Sequence, residues 1–121
     1  MATRSLIAIE KGHDVYDASY CHFDGYPEHN GKILKEHYKT EGIVNDLLSK
    51  GEMSCLREFV DKCEFYTQRG EQLHVTQNVS YEYLRKKAQD MGCEYIYVFF
   101  PAEDAWQYSE TEDNFCSMKT I

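Results

Sequence analysis

The sequence predicts an α+β fold: an antiparallel sheet of about four strands in two hairpins, with roughly three to four helices packed mainly on one face. Two alternating segments near the start, SLIAIE and VYDASYCHF, flank a Gly and Asp turn, KGHD. An aromatic and β-branched run, CEYIYVFF, leads through PAED into a shorter strand-like stretch, AWQY. Between them lie segments whose apolar residues recur at helical spacing and whose ends carry capping residues and glycines.

The elements follow in order. On the second strand Tyr16, Ala18, Tyr20 and His22 share one face, and Val15, Asp17, Ser19, Cys21 and Phe23 the other, because successive side chains alternate. Pro27 suits the first turn of a helix, where its missing N–H would be unbonded anyway, and Glu28 complements the positive helix end. This predicts a helix over 27–39, with Gly31 allowing close approach to the sheet; a cap at Asn30 with a later start is the competing reading. A second helix starts after Thr40, carries Ile43, Val44, Leu47 and Leu48 and stops at Gly51. In SCLREFVDKCEFY, Ser54 caps a third helix and Leu56, Phe59, Val60 and Cys63 repeat at helical spacing. A fourth starts at Asn78 or Ser80, buries Tyr81 or Tyr83 with Leu84, Ala88 and Met91, and ends at Gly92. CEYIYVFF is apolar on both faces, as a strand covered on two sides should be. TQRGEQLHVTQ reads as an irregular connection or an edge strand, and the tail after residue 110 as loose.

Composition narrows the function classes. At 121 residues, with 42% hydrophobic and 28% charged side chains, the chain is expected to form one domain over 1–121 without metal or disulfide staples. No segment approaches the roughly 20 apolar residues of a membrane span, and the N-terminus lacks a signal-type apolar core, so the expected location is the cytoplasm. Cys21, Cys55, Cys63, Cys93 and Cys116 are odd in number, contain no C-x-x-C pair, and read as reduced thiols. The formal charge of -8 disfavours duplex nucleic acid, whose phosphates are held by clustered Lys and Arg. Arg85-Lys86-Lys87 reads as a solvated helix face, while Glu103, Asp104, Glu110, Glu112 and Asp113 form an acidic run.

The segment YCHFDGYPEHNG, from Tyr20 to Gly31, holds the densest chemistry. A Cys–His nucleophile pair is not supported at Cys21 and His22, since neighbours on a strand point apart. His22-x-Asp24, His29 and His37 are metal-ligand types, but their spacing matches no zinc or iron signature, so neither a metal nor a cofactor is expected. Binding suits the segment better. Tyr20 and Tyr26 can stack on a base, His22, Asp24, His29 and Asn30 offer polar contacts, and the helix start near Pro27, with Gly31 beyond it, presents backbone N–H groups to an anion. The competing reading has Asp24-Gly25 as a turn and the tyrosines packed between sheet and helix.

MATRSLIAIE, YCHFDGYPEHNGKILKEHY, GEMSCLRE and EYIYVFF with AWQY together resemble a family of small bacteriophage and prophage proteins. Its members read ATRS-x-I-x-[IV], YCHWDGY followed by G-x-x-L-x-x-HY, G-[DE]-[ML]-SSL, and a tyrosine-rich strand pair ending in Trp and Tyr. The N-terminal half carries most of the match. Phe23 stands where the family has tryptophan, Cys55 where it has a second serine, and residues 65–92 match poorly. The resemblance implies a phage accessory protein made in an infected bacterium, by analogy an anti-defence factor. The expected activity is non-enzymatic binding of a nucleotide-type ligand or of a host protein. The alternative is a small hydrolase acting on a nucleotide through His22, Asp24 and His29. A virion structural role fits less well, as assembly arms and repeats are missing, and a homodimer joining two Tyr20–Gly31 segments is compatible with the sequence.

Overall fold

Residues 2–111 and 119–121 are described by a computed structural model. Strand β1, Arg4–Gly12, turns through Asp14, which holds a left-handed φ of 52°, into β2, Val15–Cys21. A π-helical turn at Pro27–Gly31 runs directly into helix α1, Lys32–His37, and helix α2 follows at Glu41–Ser49. Two short strands, β3 (Met53–Cys55) and β4 (Glu64–Phe65), precede β5, Thr76–Val79. Helix α3, Tyr81–Asp90, leads into β6, Cys93–Phe100, then β7, Ala105–Glu110, and β8, Lys119–Thr120. The caps are those expected: Thr40 Oγ1 accepts from Ile43 N at 3.3 Å and Ser80 Oγ from Tyr83 N at 3.1 Å. Gly51 and Gly92, at φ 87° and 73°, follow the ends of α2 and α3.

The sheet corrects the expected four-stranded antiparallel arrangement. Among the described residues it has eight strands in the order β4-β3-β2-β1-β6-β7-β8, with β5 also on β2, and it is mixed. The hairpin β1–β2 and the hairpin β6–β7 are both present, but β1 and β6 join them in parallel, Leu6 beside Ile96 and Ala8 beside Val98. A parallel pair needs a long crossover, and residues 13–92 supply it. Nothing in the local pattern of either strand distinguishes this pairing from an antiparallel one.

Helices on one face is the second correction. Ser5 to Ile9 are buried without interruption, so β1 is covered on both sides. On one side Ile7, Ile9, Tyr97, Phe99 and Trp106 pack against Leu34 and Tyr38 of the first helical layer and Val44, Leu47 and Leu48 of α2. On the other, Leu6, Ala8, Tyr16, Ala18, Tyr20, Ile96 and Val98 meet Tyr81, Leu84 and Ala88 of α3. Each fully buried Leu or Ile contributes about 1.5–3 kcal/mol, so both layers matter to stability.

The expected third helix is also absent. Met53–Cys55 instead pairs beside the end of β2, where His22 N donates to Met53 O at 3.0 Å and Phe23 N to Ser54 O at 2.9 Å. Met53, Leu56, Cys63 and Phe65 enter the core while Phe59, part of the apparent stripe, is 61% exposed. A helix here would have left the outer edge of β2 with unpaired backbone groups. Cys63 closes the loop locally: its sulfur accepts from Arg57 N at 3.2 Å, and the Tyr38 hydroxyl donates to Arg57 O at 2.8 Å. A single short helical turn, Val60–Lys62, is all that remains. No helix among the described residues is long and apolar enough to cross a membrane.

Gly25, between the end of β2 and the first helical turn, lies against the start of β1. A Cβ there would lie 2.8 Å from both Ser5 Cβ and Thr3 O, whereas one at Gly42 in α2 meets nothing within 4 Å. Gly25→Ala is therefore expected to cost about 1–3 kcal/mol in urea unfolding. Gly42→Ala is expected to stabilise by about 0.5 kcal/mol.

Candidate functional site: the Tyr20–Gly31 corner

Beyond Cys21 the chain reverses at Asp24, which takes a φ of 57°, and is pinned at Gly25 from two directions. Gly25 N donates to Thr3 O at 2.8 Å, and its carbonyl accepts from the Tyr97 hydroxyl at 2.6 Å. The π-helical turn then begins with Asn30 N donating to Tyr26 O at 3.1 Å and to Asp24 O at 3.3 Å. His29 N donates to Tyr26 O at 3.1 Å. Two of the N–H groups expected to face an anion are thus bonded within the corner.

The hydrogen bonds of Asn30 fix an imidazole. Ser5 and Cys21 are partners across β1 and β2 and point to the α1 side, and the fully buried Asn30 reaches both. Asn30 Nδ2 is 3.4 Å from Ser5 Oγ and 3.3 Å from Cys21 Sγ. The Cys21 thiol donates onward to Phe23 O at 3.5 Å, so it must accept from Asn30. The other amide atom, Oδ1, then faces His29 Nδ1 at 2.9 Å, and an oxygen can only accept. His29 therefore carries a proton on Nδ1, and in the neutral ring Nε2 is an acceptor with no partner among the described residues.

A second imidazole is fixed the opposite way. The Tyr20 hydroxyl lies 2.6 Å from His22 Nδ1, that hydroxyl's one hydrogen-bond partner among the described residues. Burial pushes the Tyr20 phenol up to about 12, with nearby Arg4 partly opposing, so it stays protonated, and Nδ1 is the one acceptor for its hydrogen among the described residues. His22 accepts at Nδ1 and carries its hydrogen on Nε2. Its ring meets the exposed Phe23 edge-on, centroids 4.5 Å apart.

The corner thus divides in two. Tyr20 lies in the α3-side core and holds His22; Asn30 and Gly31 lie on the α1 side with Tyr26 and His29, whose rings are 6.1 Å apart. Gly31 sits under Tyr97, whose Cε1 would be 3.3 Å from an added Cβ. Asp24 acts through its backbone, its carboxylate having no partner among the described residues. His37 is further along, edge-on to Phe59 at 5.9 Å. Among the described residues no three His, Cys, Asp or Glu side chains gather as a metal requires. Glu112, Asp113 and Cys116, singled out in the sequence, lie outside the described residues. Ser5 and Tyr97 were missed as parts of the corner; the β1–β2 register, readable from the hairpin, places Ser5 opposite Cys21.

Burial pushes the Cys21 thiol from 9.0 up to about 12, against the hydrogen bond from Asn30, so at neutral pH it is no nucleophile. Burial moves Cys93 likewise from 9.0 to about 12, and Tyr16 and Tyr20 from 10.0 to about 12. Their neutral forms favour folding, so this stabilisation is complete below pH 9 and declines as pH rises toward 12. Melting temperature is expected to hold at neutral pH and fall steadily through that alkaline window. Asn30→Ala leaves buried groups unsatisfied and is expected to cost roughly 1–3 kcal/mol in urea unfolding. It should also let nitrogen NMR detect both tautomers of His29. Comparison with family models, curated proteins and solved structures finds no match to this chain, so the resemblance to phage proteins rests on the quoted motifs.

Proposed function

We propose that this chain is a bacteriophage accessory protein of the host cytoplasm that works by binding, holding a nucleotide-type ligand against Tyr26 and His29. One observation carries the reading: the buried Asn30, anchored to Ser5 and Cys21, holds the His29 imidazole in one tautomer beside a tyrosine that is 38% exposed. A base stacked on such a ring gains about 1–3 kcal/mol, and the free Nε2 of His29 accepts from an exocyclic amine. An anti-defence role, sequestering a host nucleotide signal, follows from the phage resemblance.

A second reading is favoured by the same tether. An imidazole whose Nε2 is oriented and free also has the geometry of a general base, so His29 suits hydrolysis of a nucleotide. His22, held on the α3 side, would not share that step.

Thermal shift with a panel of cyclic and linear nucleotides, followed by mass spectrometry of the recovered ligand, tests both. A shift with intact ligand, abolished by Tyr26→Ala or His29→Ala and kept in His22→Ala, is the expected result. A chemically changed ligand moves the assignment to the hydrolase. No shift with any member overturns both and directs the search to a host protein partner.

A further inference from the structure

At the other end of β2 from the corner, the β1–β2 turn and the first turns of α3 enclose a cleft of about 450 Å³. Its floor is made by Tyr16 and Tyr81, edge-to-face with centroids 5.7 Å apart. Tyr81 is fully engaged: its N–H donates to Asp14 Oδ1 at 3.1 Å and its hydroxyl pairs with Ser109 Oγ at 2.7 Å. Tyr16 is different. Its side chain is only 3% exposed, yet its hydroxyl has no hydrogen-bond partner among the described residues.

Arg85, one helical turn after Tyr81, also lines the cleft, and its Nε is buried without a partner. Its guanidinium makes no ion pair among the described residues, although Glu10, Asp14 and Glu82 line the same space. A buried donor left unsatisfied, as Arg85 Nε is, is costly, and the Tyr16 hydroxyl, which reaches solvent, borders the same space without a partner among the described residues. Neither finds an acceptor among the described residues. The three carboxylates and the Arg85 guanidinium leave the lining, His13 apart, at a net formal charge of about -2, so a simple anion is repelled. A simple cation is attracted by the carboxylates but leaves the phenol and the guanidinium unsatisfied. A molecule carrying both groups meets every requirement.

We propose that this cleft binds a cationic amino acid, its carboxylate accepting from Tyr16 and Arg85 and its cationic groups facing Glu10, Asp14 and Glu82. The volume falls within the range of small-molecule sites. The site is separate from the Tyr26–His29 edge and stands whether or not a nucleotide binds there.

Isothermal titration of the full chain with L-arginine and L-lysine, with agmatine and valerate as the cation-only and anion-only controls, tests it. One site for L-arginine or L-lysine is expected, with agmatine and valerate weaker by about tenfold or more, the scale of one charge-assisted hydrogen bond. Tyr16→Phe keeps the ring and its packing, and Arg85→Gln keeps a helix-compatible side chain; each is expected to lower amino-acid affinity by about tenfold with the urea midpoint unchanged. Failure of both amino acids to bind overturns the proposal. So does equal binding of agmatine, which would mark a plain acidic patch, or unchanged affinity in both variants.

Discussion

The rest of the structure depends on one constraint: β1 exposes no side chain from Ser5 to Ile9. A strand buried on both faces must have apolar cover on each and paired backbone on each edge. The hairpin satisfies one edge and β6 the other. The helical layer of α1 and α2 covers one face and α3 the opposite one. Because α3 directly precedes β6, the crossover that brings β6 parallel to β1 also delivers the second layer. The parallel pairing and the two-sided packing are therefore one solution to one problem.

The same constraint explains why Asn30 is buried. Ser5 and Cys21 face each other on the α1 side at the last row of the hairpin, where a polar hydroxyl and a thiol would otherwise sit under the helix without partners. The Asn30 amide meets both and passes its remaining oxygen to His29. Packing thus sets a tautomer: the orientation of a partly exposed imidazole is decided by a thiol that is itself inert. Gly25 permits the approach, since any side chain there would collide with Ser5.

What the sequence showed and what it hid divide along contact range. The β1–β2 hairpin, the helix after Pro27, α2 and α3 rest on turns, caps and stripes within a few residues, and those signals were legible. The β1–β6 pairing joins residues about ninety positions apart, and no local pattern encodes its direction. Leu56, Phe59, Val60 and Cys63 do have helical period, but the open edge of β2 needed backbone partners, and an intrinsic preference of a few tenths of a kcal/mol per residue yields to such demands. At the corner, the alternation of Tyr20 and Cys21 was readable, but with helices expected mainly on one face it did not separate His22 from His29. The burial of Asn30 was not readable: the hairpin register sets Ser5 opposite Cys21, but only the folded corner brings the Asn30 amide to both.

The Tyr26–His29 edge and the Tyr16–Arg85 cleft lie at opposite ends of β2. Its middle cannot host a ligand: Ala18 and Ser19 are buried, with β1 on one side and β3 and β5 along the other. At the Cys21 end the alternation splits Tyr20 from Cys21 and gives each sheet face its own oriented histidine. At the Val15 end it puts Tyr16 on the α3 face, where Asp14 accepts from Tyr81 N and Arg85 lines the same cleft. A long strand in a covered sheet can display chemistry only where its neighbours stop. In this chain the turn at Asp14 and the reversal at Asp24, both with left-handed backbone, mark those two places.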